Sequence, residues 1–223
     1  MKLEELLNNY LNLIYLMASK VRQMFVLSEQ ALFEDDKVLA LKVIEMDDFI
    51  NHYEEEIMQK AIELLSLMQP VARDLRTVIS GVQMSIDLER LGDYNKSIAR
   101  YIIKNDRLPE ELIPYVQKLF TEVIANYDKA IIAIKNNDPE LAFEIPIDDE
   151  RVDQALNELV NFVDDQTKIG TNLGANYYML TMIRNLERAG DHTKNLAEQV
   201  IYRAKGQHID FGWSLSLIDF KKE

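Results

Sequence analysis

The sequence predicts an all-α protein built as two antiparallel three-helix bundles in tandem. Three observations predict it. Apolar residues recur at three- and four-residue spacing through long stretches, the mark of helices that bury one stripe. Only 7 glycines and 5 prolines interrupt 223 residues, so breaks are few and the loops short. The two halves also repeat: the hexapeptides Leu88-Glu89-Arg90-Leu91-Gly92-Asp93 and Leu186-Glu187-Arg188-Ala189-Gly190-Asp191 stand 98 positions apart. The same offset aligns Leu75 with Leu173, Met84 with Met182, Lys96 with Lys194, Ala99 with Ala197 and Ile103 with Ile201.

The first helix carries Leu3, Leu7, Tyr10, Ile14, Met17, Val21, Met24, Ser28 and Ala31 on one seam. Glu34-Asp35-Asp36 offers an N-cap and first-turn acids to the second, whose stripe is Leu39, Val43, Met46, Ile50, Tyr53 and Ile57. It ends near Gln69-Pro70, since the residue before proline avoids helical geometry. The third helix is expected from about Val71 to Lys104. One apolar line on it, Leu75, Ile79, Val82 and Ile86, runs into Glu89 and Asp93, while Met84, Leu88, Leu91, Ile98 and Ile102 form a second. Asn105 to Pro109 breaks the pattern and divides the chain into units 1–105 and 109–206. Pro109-Glu110-Glu111 starts a fourth helix, running to about Asn136. Asp138-Pro139 starts a fifth, which Pro146 is expected to kink or interrupt. The sixth spans Asn172 to Lys205, closed by Gly206. The tail 207–223, with Phe211, Trp213 and Phe220, shows no helical period; it either caps the bundle or marks a homodimer or partner contact.

Charge and composition exclude several functions. A formal net charge of −13 argues against a nucleic-acid surface, which must neutralise phosphates, and fits cation binding or a basic partner. With no cysteine there are no disulfides, thiolate zinc sites or cysteine nucleophiles, compatible with a cytoplasmic protein. No apolar run is long enough to span a membrane, and the acidic, amphipathic N-terminus is not that of a signal peptide. Gly-x-Ser-x-Gly and Walker-type glycine loops are both missing, so no enzyme is expected.

The hexapeptides carry the chemistry. Each places two carboxylates four residues apart on one helix face, where like charges repel by roughly 0.2–0.5 kcal/mol. Each adds a mid-helix glycine costing about 1 kcal/mol relative to alanine. With 38 acids in the chain, roughly six such pairs arise by chance, so a solvated face neutralised by Arg90 and Arg188 is the ordinary reading. Recurrence in a repeat, a costly glycine each time, a bordering apolar stripe and a weaker oxygen-bearing pair on the preceding helix point elsewhere. Those weaker pairs are Asp47/Asn51 and Asp149/Asp153. Converging oxygens suit Mg²⁺, Mn²⁺, Ca²⁺ or iron rather than a closed zinc site. Lys96 and Lys194 are expected to pair with the acids, and His192 is either a further ligand or a hydrogen-bonded surface histidine.

Gln69-Pro70-Val71-Ala72-Arg73-Asp74-Leu75-Arg76 with the first hexapeptide, and Asn185 to His192 with Asn195-Leu-Ala-Glu198 and Val200-Ile-Tyr202, closely resemble the PhoU family of regulators of bacterial phosphate uptake. The similarity covers about Leu3 to Gly206. It implies pseudo-twofold symmetry between the bundles and metal ions (iron, zinc, Mg or Mn) on Asp47, Asn51, Glu89 and Asp93 and on Asp149, Asp153, Glu187 and Asp191. It implies a non-catalytic cytoplasmic role restraining a phosphate ABC transporter through its ATPase subunit, and the starvation response through a sensor histidine kinase. Membrane contact would then come only through those partners. Asn51 replaces an expected aspartate, which predicts a weaker first site, and Ser97 stands where the second half has Asn195. Two other functions stay open. A carboxylate-bridged iron metalloenzyme is one, although the residues three before His52, His192 and His208 are Phe49, Ala189 and Lys205 rather than glutamate. The other is a structural scaffold or the regulator of a different anion transporter.

Overall fold

The computed structural model describes residues 3–105, 107–167 and 173–212. Among them the chain forms α1 (Leu3–Glu34), α2 (Lys37–Glu63), α3 (Ala72–Lys104), α4 (Ile113–Asn136), α5 (Pro139–Thr167) and α6 (Leu173–Lys205), with no strand. The loops do what the sequence asks. Asp36 caps α2, its Oδ1 accepting from the Val38 and Leu39 amides at 2.8 and 3.0 Å. Asp138 caps α5 in the same way, from Glu140 and Leu141 at 3.0 and 3.1 Å. Each satisfies two amides that a helix start leaves orphaned. Asp35, Gln69 and Asn137 follow helices in the left-handed region, at φ 53°, 47° and 51°.

Three expectations need correction. Of the two outcomes expected at Pro146, a kink or an interruption, the interruption does not occur: α5 runs on through it. Proline costs a helix about 3 kcal/mol, but Ala142, Ile145, Val152, Ala155 and Leu159 are all buried along this helix, and that burial outweighs it. The fourth helix opens as a 3₁₀ turn over Glu110–Leu112, and α geometry begins only at Ile113, with proline in its first turn. The second helix ends near Gln69 as expected, through a π-helical turn over Leu64–Met68.

The third correction concerns α3. Met84, Leu88, Leu91, Ile98 and Ile102 are buried, whereas Leu75, Ile79 and Ile86 are exposed. The line leading to the acids is therefore a rim, and the second line is the core.

Helices α1 to α3 pack on one another, as do α4 to α6, and the two groups join along α3/α6 and α1/α4. Both joints are antiparallel. On one, Asp87 meets Asn195 and Ser97 meets Asn185; on the other, Phe33 meets Phe120 and Lys135 lies over Tyr15. One apolar core runs through both groups.

The pseudo-twofold axis can be located from side chains. The 98-residue offset of the hexapeptides makes Tyr94 and His192 equivalent, and their rings touch at 5.5 Å between centroids. A 102-residue offset relates Asp36 to Asp138 and makes Phe25 and Tyr127 equivalent; those rings lie 5.4 Å apart. Each pair is a residue meeting its own counterpart, so the axis passes through both joints. Where the tail is described it folds back: the Phe211 amide donates to Glu198 Oε1 at 2.8 Å, and its ring meets Phe143 edge-on. Trp213 and Phe220 lie outside the described residues.

Candidate functional site

Each glycine sits where two helices approach. A Cβ on Gly92 would lie 3.2 Å from Ile50 Cγ2, and one on Gly190 would lie 2.7 Å from Asp149 Oδ1. A side chain at either point would press α3 off α2, or α6 off α5. The glycines thus bring each hexapeptide close to the preceding helix, at Ile50 in the first half and at Asp149 in the second.

In the first half-site Asp47 is 1 % exposed and forms an ion pair with Lys96. Asn51 Nδ2 also donates to it at 3.3 Å. Farther out, Arg90 stands 3.7 Å from Glu89 and 3.8 Å from Asp93. Burial pushes the Glu89 carboxyl above the usual range; Asp93 adds to the rise, Arg90 opposes it, and Glu54 raises it further. Glu54 is itself raised, by burial first and then by Glu55 and Asp93, against the pull of Arg90. It therefore belongs to this group, although the motif reading omitted it. The signal was available: Asp47, Asn51 and Glu54 follow four-then-three spacing on one face of α2. Glu54 supplies the charge that Asn51 lacks, whereas the position equivalent to it on α5 is Leu156.

In the second half-site Lys194 reaches Asp149 at 2.6 Å and Asp191 at 2.9 Å. Burial works to lower the Lys194 pKa, but its bonds to Asp149 and Asp191 raise it on balance. Asp149 is raised because burial outweighs the lysine, with Asp153 and Asp191 adding to the rise. Its Oδ1 is buried without a hydrogen-bond partner. Asp153 and Glu187 are exposed. The structure thus holds Asp149 and Asp191 on Lys194, with the charge of Asp153 acting on Asp149.

Between the half-sites runs a polar seam that the sequence reading did not assemble. Asp87 accepts from Asn195 at 3.0 Å and lies 2.7 Å from His192 Nδ1. Asn185 donates to Ser97 Oγ at 2.9 Å. Under the 98-residue offset Asp87 maps to Asn185 and Ser97 to Asn195, so the two bonds are symmetry mates. His192 is consequently the hydrogen-bonded histidine of the two readings above.

The oxygen donors suit a hard cation, and the orphaned Asp149 Oδ1 is the kind of atom a cation would satisfy. Among the described residues no three His, Asp or Glu side chains converge into a metal shell in this arrangement, so a cation would have to draw the carboxylates away from their lysines. The positive charge held by the innermost carboxylates is a lysine ammonium.

Comparison with known proteins places these features. The PhoU domain family model matches the chain twice, over residues 14–102 and 116–200. The phosphate-specific transport system accessory protein PhoU homolog of Pseudomonas aeruginosa is 36% identical over 186 residues, covering 80% of this chain and 75% of its own. PhoU homolog 1 of Thermotoga maritima is 29% identical over 198 residues, covering 84% and 85%. The crystal structure of the phosphate transport system regulatory protein PhoU from Streptococcus pneumoniae superimposes with a TM-score of 0.86 at 25% identity, covering 94% of this chain and 100% of that one. That of PhoU from Pseudomonas aeruginosa gives 0.86 at 29%, covering 92% and 100%.

Proposed function

Because the chain belongs to the PhoU domain family, we propose that it is a non-catalytic accessory regulator of a phosphate-specific transport system. The observation that carries this reading is the match along both halves to proteins named for that role. The site agrees with it: its side chains are arranged to hold charge at a helix–helix groove. Among the described residues no helix is long and apolar enough to cross a membrane, as suits a protein that reaches a transporter through its other subunits.

In this reading the protein is cytoplasmic and contacts the ATPase subunit of a phosphate ABC transporter and a phosphate-sensing histidine kinase. Units 1–105 and 109–206 act as paired halves of one adaptor. The carboxylates Asp47, Glu89 and Asp93 with Asn51, and Asp149, Asp153, Glu187 and Asp191, take up metal ions (iron, zinc, Mg or Mn). The repeated glycine-spaced acids and their oxygen chemistry support that uptake.

The deciding experiment presents purified ATPase subunit and the kinase's cytoplasmic portion separately to the immobilised full chain. Retention of either supports the adaptor role, and retention of neither overturns it. Metal uptake is tested apart, by elemental analysis of protein purified without chelator. The expected result is bound metal that falls in Glu187→Ala/Asp191→Ala; an unchanged or absent metal content sinks that part alone.

A further inference from the structure

Away from the acids, a cleft of ≈ 490 Å³ opens where the two bundles meet, lined by Asn8, Asn12, Arg73, Lys135, Asn137 and Arg203 among others, and by no aspartate or glutamate. In a chain of net charge −13, a cavity with three cations and no carboxylate needs a cause. Among the described residues none of these three cations forms an ion pair with a carboxylate: Lys135 lies over the Tyr15 ring at 4.8 Å, and Arg73 is exposed.

Arg203 is the unusual member, being only 3% exposed. Its Nε donates to Asn137 Oδ1 at 2.6 Å and its Nη2 to the Ile134 carbonyl at 2.7 Å. Those bonds cap the last turn of α4 and are one reason for an arginine there. They use two of five N–H donors. Burial, and then the charge of Arg73, push Arg203 down to about 10; the two guanidiniums oppose each other, and nothing negative on the lining relieves them. One turn along α3 from Arg73, Arg76 packs against Gly206 with its Nε buried and unpartnered.

The repeat does not generate this cleft. The counterparts of Lys135, Asn137 and Arg203 in the first half are Phe33, Asp35 and Asn105, so the positive charge is confined to one end of the molecule. Capping α4 explains one arginine, but not Arg73 and Lys135 lining the same cleft; Glu4 and Asp74 line the adjoining groove that shares Arg73, and neither lines this cleft.

We propose that this cleft binds a phosphoryl group, its oxygens held by Arg73, Lys135 and Arg203 with amide donors from the asparagines. Guanidinium forks and an ammonium are the usual partners of a multiply charged oxyanion. A volume within the range of about 300–1,000 Å³ typical of small-molecule sites admits a phosphorylated small molecule as well as the free ion. The inference rests on the cleft alone and is independent of the adaptor role proposed above.

The test is isothermal titration of the full chain with inorganic phosphate and, separately, with ATP, both in EDTA so that the acidic half-sites stay free of metal. Saturable binding, weakened by added salt, is the expected result. Arg73→Gln should lower the affinity by about tenfold or more, as loss of a charge-assisted contact implies, and Arg73→Gln/Lys135→Met should abolish binding. Neither side chain makes the bonds that cap α4, so the variants should fold; an unchanged melting temperature checks this. Equal affinity for the two probes supports the site with the free ion as ligand. Tighter ATP binding supports it with a phosphorylated small molecule. No binding of either probe at millimolar concentration, or binding unchanged in the folded double variant, overturns the proposal.

Discussion

The two half-sites share a plan but solve its central problem differently. In the first, the innermost carboxylate Asp47 is paired with Lys96 and receives the Asn51 amide at 3.3 Å, and the glycine meets the apolar Ile50. In the second, Asp149 lies directly against Gly190, and its Oδ1 is buried without a partner. Lys194 must there serve Asp149 and Asp191 together. The first site is closed by packing and a side-chain amide, while the second depends on one lysine. Counting charges along the motif predicts the second to be the stronger cation site. Glu54, which restores the first site's charge, removes the basis for that ranking.

The largest way to break this comparison is to remove the lysines. Lys194→Met strands two carboxylates, one of them deeply buried, and should cost about 3–5 kcal/mol, the usual penalty for breaking a buried pair. Lys96→Met strands Asp47 alone, which keeps its bond from Asn51, and should cost less. Urea midpoints of the two variants measure this directly. Equal losses, or a larger loss in Lys96→Met, would show that Lys194 is not the sole support of its site.

Alanine at the glycines probes the same difference more gently. At Gly190 the new Cβ meets a buried carboxylate oxygen at 2.7 Å, so Asp149 or the helix must shift. Overpacking of about 1–3 kcal/mol is partly offset by alanine's helix preference of about 1 kcal/mol, leaving Gly190→Ala net destabilising. At Gly92, 3.2 Å from Ile50 Cγ2, a few tenths of an ångström suffice, and Gly92→Ala should lie within about 0.5 kcal/mol of the parent. Thermal melts of both decide it. A neutral Gly190→Ala would mean that the glycine is not there to admit Asp149.

That contrast also marks where the sequence is legible. Long helices were readable because period, caps and breaks agree: Asp36 and Asp138 announce their helices chemically, whatever the tertiary context. The acidic pairs stand out from chance pairs in the sequence because they repeat. The direction of α3 was not, since Leu75, Ile79 and Ile86 have the right spacing for a core stripe and only packing against three neighbours decides which line is buried. The interruption expected at Pro146 fails for a related reason, because local propensity is overridden by burial along α5. The seam of Asp87, His192 and Asn195 joins residues more than a hundred positions apart, and the repeat offset alone does not say which face of α3 meets α6. Glu54 was within reach, being one more step of a spacing already in use.

Glu89 offers a pH test of how closed the first site is. Its folded pKa is raised, chiefly by burial and then by Asp93, so the folded protein holds this proton more tightly than the unfolded chain. The contribution of Glu89 to stability is therefore greatest below the unfolded carboxyl's value of about 4.3 and falls as pH rises through the folded value. Glu89→Gln should flatten that part of the stability curve and raise stability at neutral pH. Urea midpoints between pH 4 and 7, taken in chelator, check the sign. A parent curve that rises through this window with an unchanged slope in the variant would mean that the site is open to solvent.

The smallest expected effect is the most informative about metal. Asn51→Asp gives the first half-site the pair Asp47/Asp51 that the second has in Asp149/Asp153. Without metal it removes the amide that donates to Asp47 and sets two carboxylates four apart, a repulsion of about 0.2–0.5 kcal/mol before the lost bond is counted. The variant should therefore melt lower than the parent in EDTA. A bound cation reverses the sign, because the added carboxylate then contributes a ligand charge, and stabilisation grows with the ratio of metal to its dissociation constant. Melting temperatures in EDTA and in millimolar Mn²⁺ give the comparison in one experiment. A crossover, with Asn51→Asp below the parent in chelator and above it in Mn²⁺, is the outcome expected of a metal half-site. If the variant stays below the parent at every Mn²⁺ concentration, the acids of α2 and α3 serve only their lysine and arginine partners.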